Sequence, residues 1–199
     1  MFYIVGLGNP GEGYENSRHN TGRMAVLKLH KDLSLEKFEF NKKANALVSE
    51  RKTKKEKIIL ILPETFMNKS GNAVSYFIKA RTGKNRSQEN LVVIHDDIDL
   101  PLGTLKISYN KGTGGHKGLE SVVRVVKTRE FVRIRVGISP ATAKGKAKKP
   151  EGEEKVINFI LGKFKQKEEE ALKKILRKAS EAVQILVSEG RDKAMNMFN

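Results

Sequence analysis

The tightest constraint on this chain is an alternation of two periodicities. Short apolar runs, each the length of one strand, take turns with stretches whose apolar residues recur every three or four positions. Phe2-Tyr3-Ile4-Val5 and Leu91-Val92-Val93-Ile94 read as buried strands. Residues 44–50 and 58–62 read as a strand pair around the tip Arg51-Lys52-Thr53-Lys54-Lys55-Glu56-Lys57. Leu105, Ile107 and Tyr109 alternate with Lys106 and Ser108, as in a half-exposed strand. Val132, Ile134, Val136 and Ile138 alternate in the same way with Arg133 and Arg135.

Between these runs lie helical stripes. Ala25, Val26, Leu29 and Leu33 share one face, after a cap at Asn20 or Thr21. Ala73, Val74, Phe77 and Ile78 share another behind Ser70, and Leu119, Val122, Val123 and Val126 a third. A long helix over about residues 166–189 buries Leu172, Ile175, Leu176, Ala179, Val183 and Leu186. The expected fold is α/β, a single domain over residues 1–199. It has a twisted mixed sheet, mostly parallel, with helices on both faces. Residues 141–154, rich in Lys, Ala, Gly and Glu, read as a mobile loop inside that domain.

The chain's 199 residues suffice for one sizeable core. Its formal net charge of +16 points to a polyanionic partner, nucleic acid before membrane. The absence of cysteine excludes disulfides, thiolate zinc sites and cysteine nucleophiles. No apolar run approaches the roughly 20 residues of a membrane span, and the first strand lacks the form of a signal peptide. Both point to a cytoplasmic protein.

Four polar clusters sit at strand ends, where α/β proteins place their chemistry. The first is Gly6-Leu7-Gly8-Asn9-Pro10-Gly11, continuing through Tyr14 and Arg18-His19-Asn20 to Gly22. The second is Thr65-Phe66-Met67-Asn68-Lys69-Ser70-Gly71. The third is His95-Asp96-Asp97-Ile98-Asp99-Leu100-Pro101, and the fourth Lys111-Gly112-Thr113-Gly114-Gly115-His116-Lys117-Gly118. In a mostly parallel sheet they should converge on one rim.

The first cluster matches the dinucleotide pattern G-x-G-x-x-G, but no apolar stripe begins before about Thr21, so no helix is ready to receive a pyrophosphate. His19 and His116 with Asp96, Asp97 and Asp99 could ligate a metal, yet no H-E-x-x-H or comparable spacing exists. The simpler reading is a histidine general base whose far nitrogen is held by a buried aspartate. Asn9 and Asn68 can hold a carbonyl or amide without adding charge. His95 abuts an apolar strand and reads as structural; Asp97 and Asp99 read as turn formers.

In the order and spacing of these clusters, and in Arg135-Val136-Gly137-Ile138 and Phe159-Ile160-Leu161-Gly162-Lys163-Phe164, the chain resembles the bacterial-type peptidyl-tRNA hydrolases. The resemblance implies hydrolysis of the ester joining a peptide to the 3′-terminal ribose of tRNA, with no metal or cofactor. Carried over position by position, His19 activates water and Asp96 orients it. Asn9 separates peptidyl from free aminoacyl substrates. Tyr14, Phe66, Asn68 and His116 contact substrate. The family is usually monomeric, needing no protein partner or membrane. Lys117 stands where the family often has Asn; it keeps a donor, loses the carbonyl acceptor and gains a charge suited to a tRNA phosphate. A catalytically silent RNA-binding relative is the alternative reading.

Overall fold

The computed structural model describes residues 1–52, 56–79 and 87–199. Seven strands form one sheet: β1 (Phe2–Gly6), β2 (Glu39–Asn41), β3 (Ala46–Lys52), β4 (Lys57–Pro63), β5 (Leu91–Pro101), β6 (Leu105–Tyr109) and β7 (Val132–Ser139). Among the described residues the α-helices are α1 (Thr21–Asp32), α2 (Ser70–Phe77), α3 (Lys117–Val126), α4 (Glu153–Leu161), α5 (Glu169–Glu189) and α6 (Arg191–Phe198). The strand order is β2-β3-β4-β1-β5-β7-β6. The central strands β4, β1, β5 and β7 run parallel. The pairs β2–β3, β3–β4 and β6–β7 are antiparallel. The sheet is therefore mixed and mostly parallel at its centre.

Side-chain alternation along each strand feeds two cores. Ile4, Leu60, Val92 and Ile134 meet α1, α5 and α6 through residues such as Leu29, Val183 and Ala194. Val5, Ile61 and Val93 meet α2 and α3 through Val74, Leu119 and Val122. Each Val, Leu or Ile buried this way contributes about 1.5–3 kcal/mol. On α5, Ile175, Ala179, Val183 and Leu186 are buried as their spacing predicts, while Leu172 and Leu176 pack from the margin.

Several local expectations change. The third polar cluster does not follow its strand; it lies on it. Strand β5 continues from Leu91 through Pro101 because β7 keeps supplying ladder partners, Asp96 opposite Val136 and Asp97 opposite Gly137. The register then shifts before Pro101 pairs Ser139, and Asp99 N–H donates to Asp97 Oδ1 inside that irregularity. Arg133 is not on an exposed face: it is 2% exposed. A short edge strand, β2, had no sequence signal, and β3 begins at Ala46 rather than at residue 44. Neither Asn20 nor Ser70 caps its helix with its side chain; Ser70 Oγ instead donates to the Met67 carbonyl. Of the Lys-rich hairpin tip, residues 53–55 lie outside the described residues.

The four clusters also do not all arrive by strand direction. Strand β6 runs antiparallel to β7, so it ends at Tyr109 beside Val132, at the start of β7. Residues 110–116 must return across the sheet before α3 begins. Only then does His116 reach the end where the parallel strands β1 and β5 deliver their own polar residues.

That end is tightly packed. Leu7 N–H donates to the Ile94 carbonyl at 3.0 Å, and Arg23 N–H donates to the Leu7 carbonyl at 2.9 Å. The first turn of α1 is thus docked onto the ends of β1 and β5. Gly22 permits it: a Cβ there would overlap the Ile94 carbonyl oxygen and crowd the Leu7 backbone. Gly22→Ala should destabilise the fold by about 1–3 kcal/mol. Gly13→Ala, with open space around the new methyl and no left-handed φ, should stay within about 0.5 kcal/mol of the parent. Chemical denaturation of both variants checks the contrast.

Candidate active site

The docking of α1 presents residues 18–20, one 3-10 turn, to the middle of β5. His19 Nδ1 then lies 3.0 Å from each carboxylate oxygen of Asp96, and both residues are buried. His116 Nε2 also reaches Asp96 Oδ1, at 2.9 Å. The two imidazole rings sit 5.0 Å apart. One carboxylate is therefore shared by two histidines from different loops.

The proton positions follow from the surrounding donors. His116 precedes α3, and its Nδ1 accepts the backbone N–H groups of Gly118 (3.1 Å) and Leu119 (3.3 Å). An accepting Nδ1 carries no proton, so Nε2 carries it and donates to Asp96. His19 Nδ1 has only the carboxylate before it and donates as well. This leaves the lone pair of His19 on Nε2, which has no protein partner among the described residues. The same tautomer bears on the metal reading. Ligand atoms of His19, Asp96 and His116 lie within 4.8 Å of one another. Yet His116 Nε2 offers a proton there, not a lone pair, as long as it caps α3. The cluster is arranged for protons.

Electrostatics agree. Burial opposes ionisation of Asp96, but proximity and hydrogen bonds from His19 and His116 outweigh it and hold the carboxyl far below the usual range. For His19, burial acts against the charged ring, and the attraction and hydrogen bond of Asp96 overcome it; the pKa rises above 6.5. His95 goes the other way. Burial, reinforced by the neighbouring His116, pushes it down to about 3. Its Nδ1–H donates to the Asp96 carbonyl at 2.7 Å, so His95 is a neutral structural ring.

Asn9 is built in from the other side. The Asn20 carboxamide clamps its backbone, accepting from Asn9 N–H and donating to the Asn9 carbonyl, each at 2.8 Å. Asn9 Oδ1 accepts Met67 N–H at 2.8 Å. With its oxygen engaged, the Asn9 NH2 has no hydrogen-bond partner among the described residues, and Met67 ties Asn9 to the loop bearing Phe66 and Asn68. Those two side chains are exposed, Phe66 at 58%. Tyr14 is half-buried with no side-chain hydrogen bond among the described residues. Lys117 is exposed, 3.6 Å from Glu120. Among the described residues none of these four forms a hydrogen bond, ion pair or ring contact with His19 or Asp96. The glycine pattern ends differently from a nucleotide fingerprint: Gly11 sits at φ +98° in an exposed turn, and α1 starts ten residues later at Thr21.

A cleft of about 470 Å³ opens beside His19, Asp96 and His116. Its lining includes apolar Val156, Ile157 and Ile160 of α4 and charged groups of both signs: Lys111, Lys117, Arg133 and Arg135 with Asp97, Asp99 and Glu153, Arg135 donating to Asp97 Oδ2 at 2.6 Å. Arg133 donates to the Gly112 carbonyl at 2.6 Å and to that of Lys111, pinning the loop that carries His116. Burial, with Arg129 and Arg135 nearby, lowers its pKa to about 10.

A model of the family described as "Peptidyl-tRNA hydrolase" matches residues 3–199.

The chain belongs to the peptidyl-tRNA hydrolase family.

A family relative from Thermodesulfovibrio yellowstonii is 37% identical over 199 residues, covering 100% of this chain and 99% of its own length. One from Herpetosiphon aurantiacus is 39% identical, covering 100% and 90%. Among solved structures, peptidyl-tRNA hydrolase from Acinetobacter baumannii superposes with a TM-score of 0.85 at 29% identity, over 100% of this chain and 94% of that one. The chain is thus a hydrolase with this family's fold. No helix among the described residues is long and apolar enough to cross a membrane.

The sequence brought out His19, Asp96, Asn9 and His116, which the structure gathers into bonded groups. It missed Asn20, which looked like a cap, and Arg133, which alternation placed outside. NMR titration of the imidazole signals checks the electrostatics. His19 should titrate above 6.5 and fall in Asp96→Asn, where burial acts unopposed by a carboxylate; His95 should stay neutral down to about pH 3.

Proposed function

We propose that the chain hydrolyses the ester between a peptide and the 3′-terminal ribose of tRNA, with His19 as general base. The observation that carries this is the hydrogen bond from His19 Nδ1 to a buried carboxylate, which leaves Nε2 as the open lone pair beside a cleft. A peptidyl ester is an activated carbonyl, so one oriented water, one base and one oxyanion donor suffice.

Water attacks the ester carbonyl while His19 Nε2 takes its proton. Asp96 stabilises the imidazolium that forms and stays ionised itself. The Asn9 NH2 donates to the oxygen that gains charge, or to the adjacent peptide carbonyl. The tetrahedral intermediate collapses with cleavage of the bond to ribose O3′, which takes the proton back from His19. His116 bonds Asp96 Oδ1 and keeps the carboxylate oriented. Phe66, Asn68 and Tyr14 lie exposed or half-exposed along the neighbouring loops and contact substrate; Lys117 meets a tRNA phosphate.

Selectivity follows from charge. A free aminoacyl ester carries an ammonium, which a carboxylate at the substrate-facing edge would reward. Asn9 and Asn68 are neutral, so where they meet the substrate a blocked amine loses nothing. The net charge of +16 supplies sequence-independent affinity for tRNA.

Purified protein should cleave N-acetylaminoacyl-tRNA and leave unblocked aminoacyl-tRNA intact. His19→Ala should lower kcat about 10²–10⁴-fold. Because the base must be neutral, kcat/KM should rise with pH through an apparent pKa above 6.5, and that limb should move to lower pH in Asp96→Asn. Tight tRNA binding without cleavage of the blocked substrate would favour the silent RNA-binding alternative.

A further inference from the structure

The residue next to His19 has no part in the chemistry above, yet its side chain is only 5% exposed. The Arg18 guanidinium contacts two rings, lying 4.6 Å from the centroid of Phe159 and 4.6 Å from that of Phe164. Its Nη2 donates to Glu168 Oε2 at 2.7 Å, and its Nη1 to the Ile138 carbonyl at 3.3 Å. The backbone joins in: Arg18 N–H donates to the Gly162 carbonyl at 3.0 Å, and Ser17 forms an antiparallel bridge with Lys163. One side chain thus gathers the end of β7, the end of α4 and the turn leading to α5.

Helix α4 needs such a fastening. None of its nine residues is buried. Its apolar residues Val156, Ile157 and Ile160 line the cleft instead of the core, so packing against the sheet does not fix its place. Near its N-terminus, Lys149 holds Asp99 at 2.7 Å, an exposed pair of little worth. At its C-terminus stands Arg18.

We propose that Arg18 is a positioning residue that holds the α4 wall of the cleft in register with His19; this rests on the hydrolase reading above. Substrate lying against α4 is then located relative to the base through the adjacent residue in the chain. A planar guanidinium can lie against aromatic rings while donating to Glu168 and Ile138; an ammonium cannot do both. Misplacement by about 1 Å costs up to about 10²-fold in rate.

The absence of cysteine allows a clean distance measurement. Lys31→Cys on α1 and Lys155→Cys on α4, both exposed, carry spin labels for double electron–electron resonance. The labelled parent should give a narrow distance distribution, and Arg18→Lys, Arg18→Gln and Glu168→Gln broader ones. In the unlabelled Arg18 variants, kcat/KM for N-acetylaminoacyl-tRNA should fall about 10- to 100-fold well below the melting temperature. The apparent pKa of the pH limb should stay in place, because Asp96 still faces His19. A lowered melting temperature with unbroadened distances and kcat/KM within about twofold of the parent would make Arg18 merely structural and overturn the proposal. If Arg18→Gln does not fold, Arg18→Lys and Glu168→Gln decide. If the parent itself cleaves no blocked substrate, the hydrolase reading fails, and the distance distributions alone judge Arg18.

Discussion

A buried carboxylate must have its charge met, and at Asp96 two imidazole N–H groups meet it. Much of the architecture serves that requirement. Strand β5 carries Asp96 into the interior because β7 keeps pairing with it past the apolar run. Gly22 lets α1 approach closely enough to bring His19. The long return from β6 to α3 brings His116, and Arg133 pins that return by two backbone carbonyls. If any of these pieces were withdrawn, a charge would be left underpaired in low dielectric, which costs more than the loss of one hydrogen bond.

The same pairing divides four histidines into distinct characters. Only His30 is remote from the cluster, bonded to the Glu36 carbonyl at the surface. His19 and Asp96 raise and lower one another's affinity for protons, while His95, one residue from Asp96, is driven neutral by burial. His116 is committed on both nitrogens, to a helix start on one and to the carboxylate on the other. Of the three rings near Asp96, His19 is the one with a nitrogen that is neither bonded to protein nor orphaned in the interior.

A neutral amide and charged groups lie close together around the cluster. Asn9 is held by three hydrogen bonds that use its backbone and its side-chain oxygen, leaving two amide hydrogens for a ligand. Lys111, Lys117, Arg133 and Arg135 line the cleft beside His19, with Arg135 paired to Asp97 and Arg133 buried. The apolar face of α4 closes the other side, a helix exposed on its own and fixed at its end by the buried Arg18.

The sequence by itself determined the class of the fold and singled out four polar residues that the structure draws into hydrogen-bonded groups. Strand and helix periodicities are local, and a polar cluster beside an apolar run is visible without coordinates; His19, Asp96, Asn9 and His116 each stood in such a cluster. What the tertiary structure decided depends on neighbours far away in the chain. Residues 95–101 became strand rather than loop because β7, some forty positions on, offered the ladder. Asn20 became a clamp on Asn9 rather than a helix cap because α1 docked against the end of β1. Arg18 and Arg133 became buried cations, and no alternation rule can announce that, since their partners are aromatic rings, backbone carbonyls and a distant glutamate. Periodicity records which face a residue prefers on its own element; long-range pairing decides what that face will meet.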